Sequence, residues 1–132
     1  MTKSQRKYLD QLTANIEAAK AVGLTAIVSV EDHKYFISVS VRIEFDTSNV
    51  KIRRIGHDQQ FRAHLMIGKR GGVDGTCSAG SIFSNNEYRK GVSYGDRKAD
   101  IFSFSVRNGC EYEINQMIHT AERMAEVDNE AA

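Results

Sequence analysis

The stretch YFISVSVRIEF at residues 35–45 carries an apolar side chain at every odd-numbered position, with mostly Ser, Arg and Glu between them. Successive side chains of a β-strand point to opposite faces, so this period of two predicts a strand with one buried face. Leu24–Val30 is also typical of a strand, and the polar residues 31–34 between the two segments predict a hairpin. This antiparallel pair is the predicted start of a sheet.

Two later segments are predicted to continue the sheet as an antiparallel meander. Val50–Ile55 is bounded by turn-forming residues on both sides, and Phe61–Ile67 alternates apolar residues with polar ones that include Arg62 and His64. Asp100–Val106 is predicted as one further strand, because its apolar residues again recur at every second position. Arg62 and His64 are expected to point away from the apolar face.

Helices are predicted at both ends of the chain. Leu9, Leu12 and Ile16 repeat at helical spacing within Ser4–Val22, and a second apolar stripe runs along a helix from about Gly109 to Val127. The predicted fold class is α+β, in one domain spanning residues 1–132. Its antiparallel sheet has about five strands, a four-stranded meander plus one, and is flanked by the N-terminal and C-terminal helices.

Residues 68–98 interrupt this regular pattern just before the last predicted strand. They contain seven of the ten glycines of the chain, which predicts a Gly-rich insertion. Structureless segments of this length inside a compact domain are usually functional or disordered. We therefore expect the insertion to be the main contact surface, supported by the other elements as a scaffold.

Charge is distributed unevenly along the chain although the net charge is only +1. Residues 51–98 carry ten Lys/Arg and four Asp/Glu, whereas residues 99–132 carry two and seven. Such asymmetry indicates what a protein binds rather than how it folds. No apolar run approaches the ~20 residues of a membrane helix, and no signal peptide is apparent, so a cytoplasmic protein without a membrane partner is expected.

The segment Ile67–Val73 contains Gly-x-x-Gly with Lys69 and Arg70 inside it. This spacing resembles the loop of KH domains, which implies a backbone clamp for nucleic acid. In KH domains that loop leads directly into a helix, whereas residues 74–80 here are poor helix formers. The alternatives are a solvated turn and a backbone nest for an anion.

Cysteine and histidine side chains are the candidates for catalytic or metal-binding groups. Cys77 lies in the Gly-rich segment, and a nucleophilic role would need His57 or His64 as its base. Cys110 lies on the apolar stripe of the last helix and is predicted to be a core residue. His119 and Glu122 share one helix face, but a metal site needs three or four ligands. Neither a metal nor a cofactor is predicted.

The basic side chains of the central region form the predicted binding set. Lys and Arg neutralise phosphates, and aromatic side chains interleaved with them stack on unpaired bases. The predicted binding residues are Arg53, Arg54, Arg62, His64, Lys69, Arg70, Tyr88, Arg89, Lys90, Arg97 and Lys98.

The leading interpretation is a small non-enzymatic binding protein with an anionic partner. That partner is nucleic acid or an acidic surface of a nucleic-acid-handling protein complex. A small, charge-polarised domain of this type resembles phage or mobile-element inhibitors of host defence, including anti-CRISPR proteins. The alternatives are a small enzyme that uses the Gly-rich loop with Cys77 or a histidine, and a homo-oligomer formed through the acidic C-terminal helix.

Overall fold

The computed structural model describes residues 1–45, 60–79, 82–85 and 105–131. Two long helices and five strands make up this part of the chain, and a short helical stretch covers residues 105–107. In chain order they are α1 (Lys3–Ala21), β1 (Thr25–Asp32), β2 (Phe36–Glu44), β3 (Phe61–Gly68), β4 (Val73–Ala79), β5 (Ile82–Asn85) and α2 (Glu111–Ala131).

The five strands form one sheet in the order β1-β2-β3-β4-β5, and each strand runs antiparallel to its neighbours. The register places Val41 beside Ala63 and Ala63 beside Cys77. Because directly paired residues share a face, the odd-numbered side chains of β2, β3 and β4 all lie on one face of the sheet. The even-numbered side chains lie on the other.

The odd-numbered face is the core of the protein. Ile37, Leu65 and Cys77 are at most 1% exposed, and the buried residues of both helices join them in one apolar cluster. Helix α1 contacts β1 and β3, α2 contacts β3 and β4, and the two helices contact each other. The described part of the molecule is therefore a helical layer on one face of an antiparallel sheet, and no described element covers the even-numbered face, which we call the open face.

Polar contacts hold α1 against the segment that leads into α2. The buried Tyr8 hydroxyl donates a hydrogen bond to the carbonyl oxygen of Val106 (2.6 Å). Asn15 Nδ2 donates to the carbonyl oxygen of Gly109 (2.9 Å). Both acceptors lie in a tight connection with left-handed residues, Gly109 at φ +66° and Cys110 at φ +59°. The Tyr8 and Asn15 side chains therefore supply hydrogen-bond donors to carbonyl groups of this connection, which would destabilise the fold if they were left unpaired.

The predicted fold class is confirmed: the protein is α+β, with an antiparallel sheet flanked in the sequence by an N-terminal and a C-terminal helix. The predicted strand order is wrong. β2 pairs directly with β3, whereas the predicted meander placed residues 50–55 between them. Those residues lie outside the described part of the chain.

The predicted Gly-rich insertion is wrong for its first part. Val73–Ala79 and Ile82–Asn85 are strands of the sheet, and residues 69–72 form the turn that connects β3 to β4. Alternation is present in β4, since Val73, Cys77 and Ala79 are buried. This alternation is hard to recognise in the sequence because Gly75, which has no side chain, occupies the core-facing position between Val73 and Cys77. Most of the remaining predicted insertion, residues 80–81 and 86–98, lies outside the described residues.

The C-terminal region also departs from expectation at its boundaries. Ser105 and Val106, predicted to end a strand, belong to a helical stretch, and residues 100–104 lie outside the described part. Helix α2 begins at Glu111 and not near Gly109, because Gly109 and Cys110 have left-handed backbone conformations that a right-handed helix excludes. The helix continues to Ala131, four residues past the predicted end.

Candidate functional site

The β3–β4 turn is anchored to the beginning of helix α1. The Thr2 hydroxyl donates a hydrogen bond to the carbonyl oxygen of Lys69 (2.6 Å), and the buried Gln5 amide donates to that of Ile67 (3.1 Å). Thr2 is also the N-cap of α1, where its hydroxyl accepts from the Gln5 backbone N–H (3.2 Å). The Thr2 hydroxyl therefore satisfies a backbone N–H in the first turn of the helix and also positions the β3–β4 turn beside it.

This anchoring collects basic side chains from two distant parts of the chain. We call the set the basic end; its exposed members are Lys3, Arg6, Lys7, Lys69 and Arg70. Within the described part of the chain none of them forms an ion pair. Arg107 adds a sixth positive charge, because it lines one groove together with Lys69 and Arg70. Lys3, Arg6 and Lys7 line one groove together with Asp10, and the groove of Lys69 and Arg70 also contains Asp74, so positive charge is in excess in both. Such an excess attracts anions, so the basic end favours binding over stability.

The open sheet face carries a second, more polar group, toward the end of β3 that lies opposite the β3–β4 turn. Arg42 and Arg62 are directly paired across β2 and β3, where two like charges are unfavourable on their own. Arg42 Nε lies 3.0 Å from Glu44 Oε1, and Arg62 Nε donates to Gln60 Oε1 at 2.6 Å. Gln60 in turn donates to Glu44. The network fixes both guanidinium groups while most of their N–H donors still face solvent.

His64 occupies the next position along this open face. Its Nδ1 lies 3.2 Å from the Ser40 hydroxyl on the neighbouring strand. Together with Arg42 and Arg62 these side chains line an open groove of about 350 Å³. The groove is shallow and rich in hydrogen-bond donors, which suits a charged group presented by a larger molecule better than an enclosed small ligand.

Of the predicted binding residues, the structure places Arg62 and His64 on the open face and Lys69 and Arg70 in the basic end. The prediction that Arg62 and His64 point away from the apolar face is confirmed. The remaining predicted binding residues lie outside the described part of the chain: Arg53, Arg54, Tyr88, Arg89, Lys90, Arg97 and Lys98.

Sequence reasoning missed the contribution of α1 to the basic end. The charges of residues 1–50 cancel when counted along the chain, with six basic and six acidic residues. Spacing was the available signal, since Lys3, Arg6 and Lys7 stand at i, i+3 and i+4 and so share one helix face. What the sequence does not show is that the beginning of this helix lies against the turn that carries Lys69 and Arg70.

The structure does not bring His64 to Cys77 as the base that a nucleophilic role would need. Cys77 lies in β4 on the core face and is 1% exposed, whereas His64 points to the open face of the adjacent strand. A hydrogen bond with Cys110 and burial both raise the pKa of the Cys77 thiol, which opposes formation of the nucleophilic thiolate. His57 lies outside the described residues. The prediction that Cys110 is a core residue is confirmed, since it is fully buried.

The buried polar groups beside these cysteines are satisfied internally. Burial, followed by the neighbouring Cys110, raises the pKa of the Tyr8 hydroxyl, which donates to Val106 as described above. Glu113 is fully buried and accepts a hydrogen bond from the Ser105 hydroxyl. These contacts are typical of a structural network that joins α1, the 105–107 stretch and α2.

The resemblance of the Gly-x-x-Gly segment to a KH loop does not extend to its structure. Gly68 and Gly71 belong to a turn between two antiparallel strands, whereas a KH loop precedes a helix. Their N–H groups are also occupied inside the turn, by the carbonyl oxygens of Gly72 and Gly68 respectively (both 2.8 Å). The turn therefore offers Lys69 and Arg70 side chains to a ligand but not these two amides.

Comparison of the chain with protein-family models, curated proteins and solved structures finds no match. In the ranges the structure covers, no three His, Cys, Asp or Glu side chains come together as metal ligands. The same ranges contain no helix that is both long and apolar enough to cross a membrane. The geometry of the basic end and of the open face is therefore the evidence that bears on function.

Proposed function

We propose that this protein binds an anionic macromolecule through the basic end, with Arg62 and His64 further along the open face as a secondary contact. The observation that carries the proposal is the anchoring of the β3–β4 turn to α1. It brings the turn that carries Lys69 and Arg70 to the beginning of the helix that carries three more basic residues, and none of the five forms an ion pair among the described residues. Phosphates are the anions that such a cluster of flexible cations binds most readily.

Nucleic acid is the partner class that we favour. Lys and Arg neutralise backbone phosphates without a shaped pocket, and the basic end has no enclosed pocket among the described residues. The groove beside Lys69 and Arg70 also includes Phe36 and Met66, which offer apolar contact to an unpaired base. An acidic surface of a nucleic-acid-handling complex has the same charge and is the alternative that the experiment distinguishes.

The test compares two double variants that each remove two exposed positive charges. Lys69→Ala with Arg70→Ala alters the basic end, and Lys20→Ala with Arg123→Ala removes the same charge elsewhere. Binding of labelled single-stranded DNA, single-stranded RNA and duplex DNA is measured by fluorescence anisotropy over a series of salt concentrations. We expect the first variant to bind about tenfold more weakly at low salt, and its salt slope to fall by roughly 0.7–0.9 for each phosphate that the protein no longer neutralises.

The matched variant should bind as the unaltered protein does. If neither protein binds nucleic acid, a pull-down from lysate with and without nuclease tests the acidic-protein alternative. A partner that is retained after nuclease treatment and does not bind the Lys69/Arg70 variant supports that alternative. Equal binding by both variants in both assays refutes the role of the basic end. Inhibition of host defence by a phage or mobile-element protein, including an anti-CRISPR role, stays a prediction.

A further inference from the structure

Within the described residues, strand β1 is an edge of the sheet and lacks most of the features that usually protect an edge. Among the described strands it pairs only with β2, over eight consecutive residue pairs without a bulge. Its sequence, TAIVSVED, contains neither Pro nor Lys. Natural proteins generally shield such edges with those residues, with bulges or with a covering element, because an open edge pairs with other strands.

The hairpin geometry shows which backbone groups of β1 face outward. The His33 N–H donates to the Phe36 carbonyl oxygen at the turn (2.9 Å). Hydrogen-bonded pairs in an antiparallel ladder recur at every second residue, so the odd-numbered residues of β1 bond to β2. The N–H and C=O groups of Ala26, Val28, Val30 and Asp32 must therefore point away from the sheet.

The same outward-bonding residues carry apolar side chains on the helix-covered face. Val28 is paired with Val41 and Val30 with Val39, both of which are buried, yet Val28 is 46% exposed and Val30 is 50% exposed. The apolar core surface thus continues to the edge of the sheet and ends there uncovered. Apolar surface therefore lies next to the outward-pointing N–H and C=O groups of β1, and a further strand that bonded to these groups would bury it.

We propose that β1 pairs with β1 of a second copy of this chain, antiparallel and about a two-fold axis. The only charged residues of β1, Glu31 and Asp32, lie together at one end of the strand. Antiparallel pairing separates the two acidic ends, whereas parallel pairing places them side by side. A closed two-fold contact also uses the same surface on both copies, as most homodimers do.

The free backbone groups restrict the register of this contact. Even-numbered residues must face even-numbered residues, which two arrangements near the middle of β1 satisfy. Centring on Val28 places Val28 opposite its own copy, and centring on Ser29 places Val28 opposite Val30. Both arrangements pair the exposed valines with apolar residues and bury them on the helix-covered face. Both also join the two described five-stranded sheets into one sheet of ten strands.

This dimer does not depend on the proposed function and uses a different surface. In the dimer, the β3–β4 turn of each copy lies at the same end of its sheet as the β1–β2 turn, as the register requires. The two-fold axis therefore places the two basic ends at opposite ends of the joined sheet. It leaves both of them accessible to a partner.

The first test is sedimentation equilibrium over a range of protein concentrations. An interface of one strand pair is small, so dissociation at about micromolar to millimolar concentrations is expected. The weight-average mass should rise from 14.8 kDa toward twice that value. Val28→Lys should keep the protein monomeric, because a charged side chain at this position opposes edge pairing. Met66→Lys, at a residue 45% exposed on the open face, should dimerise like the unaltered protein.

Cross-linking tests the same contact without disturbing the strand. Cys77 and Cys110 are buried and should not interfere. In separate variants, Val28→Cys and Ser29→Cys place one thiol near each proposed two-fold axis, where facing Cα atoms lie about 4.5–5.5 Å apart, within disulfide reach. One of them should form a covalent dimer with oxidised glutathione, whereas Met66→Cys should not. A protein that stays at 14.8 kDa at every concentration, or a Val28→Lys variant that still dimerises, overturns the proposal.

Discussion

Replacement of Gly75 by Ala should destabilise the protein more than its single added methyl group suggests. Gly75 lies in β4 opposite Leu65, with a backbone φ of +140° that residues with a side chain rarely adopt. A Cβ atom at this position would lie 2.0 Å from the carbonyl oxygen of His64 and 2.9 Å from the Leu65 Cα atom. Both contacts are with the backbone of β3, so no side-chain rotation relieves them.

The expected destabilisation follows from this geometry. A residue held in so unfavourable a backbone region costs about 1–3 kcal/mol, and relief of the clash requires a shift of two hydrogen-bonded strands. We therefore expect the free energy of unfolding to fall by about 3 kcal/mol. Unfolding entropy scales at about 2.1 cal/mol/K per residue, so for 132 residues that decrease corresponds to a Tm lower by roughly 10 °C.

Thermal and urea unfolding followed by circular dichroism measure this difference. Gly72→Ala is the matched control, since Gly72 has no heavy atom within 4 Å of an added Cβ and no left-handed φ. Its stability should change by less than about 1 kcal/mol, and in the stabilising direction if the reduced entropy of the unfolded chain dominates. The reasoning fails if Gly75→Ala is no less stable than Gly72→Ala.

Three further outcomes are expected. Thr2→Ala should lower the free energy of unfolding by about 1–2 kcal/mol, because it removes the N-cap bond and the bond to Lys69 together; urea titration showing no change would contradict this. Stability should decline above about pH 9, since the unfolded chain releases the Cys77 and Tyr8 protons near their ordinary pKa values of 9.0 and 10.0 while raised pKa values retain them in the folded state. Tyr8→Phe should reduce the steepness of that decline above pH 10, and an unchanged slope would count against the assignment. Both thiols, Cys77 and Cys110, should react with Ellman's reagent only after unfolding, and rapid reaction of the native protein would show that the core is more open than described.

The longest periodic segments of the sequence identified their own structure correctly, whereas Ser105 and Val106 of the shorter segment 100–106 are helical. The alternation across residues 35–45 and 61–67 indicated which side chains of β2 and β3 are buried, and it placed Arg62 and His64 on the open face. The stripe in α1 was equally clear. These features are local, because burial of one strand face or one helix stripe requires only the period of the element itself. Where Gly75 occupies a core-facing position of β4, the period was obscured and the strand was missed.

The amino-acid sequence by itself determined the α+β class, the buried faces of its most regular elements and the presence of Lys69 and Arg70 in an exposed turn. Only the tertiary structure decided that this turn lies against α1. The bond from Thr2 to Lys69 joins residues 67 positions apart, and it brings the beginning of the helix that carries Lys3, Arg6 and Lys7 to the turn. Electrostatic potential depends on distances in space and not on separation along the chain. A segment whose charges cancel in sequence can therefore supply half of a basic surface once the chain has folded.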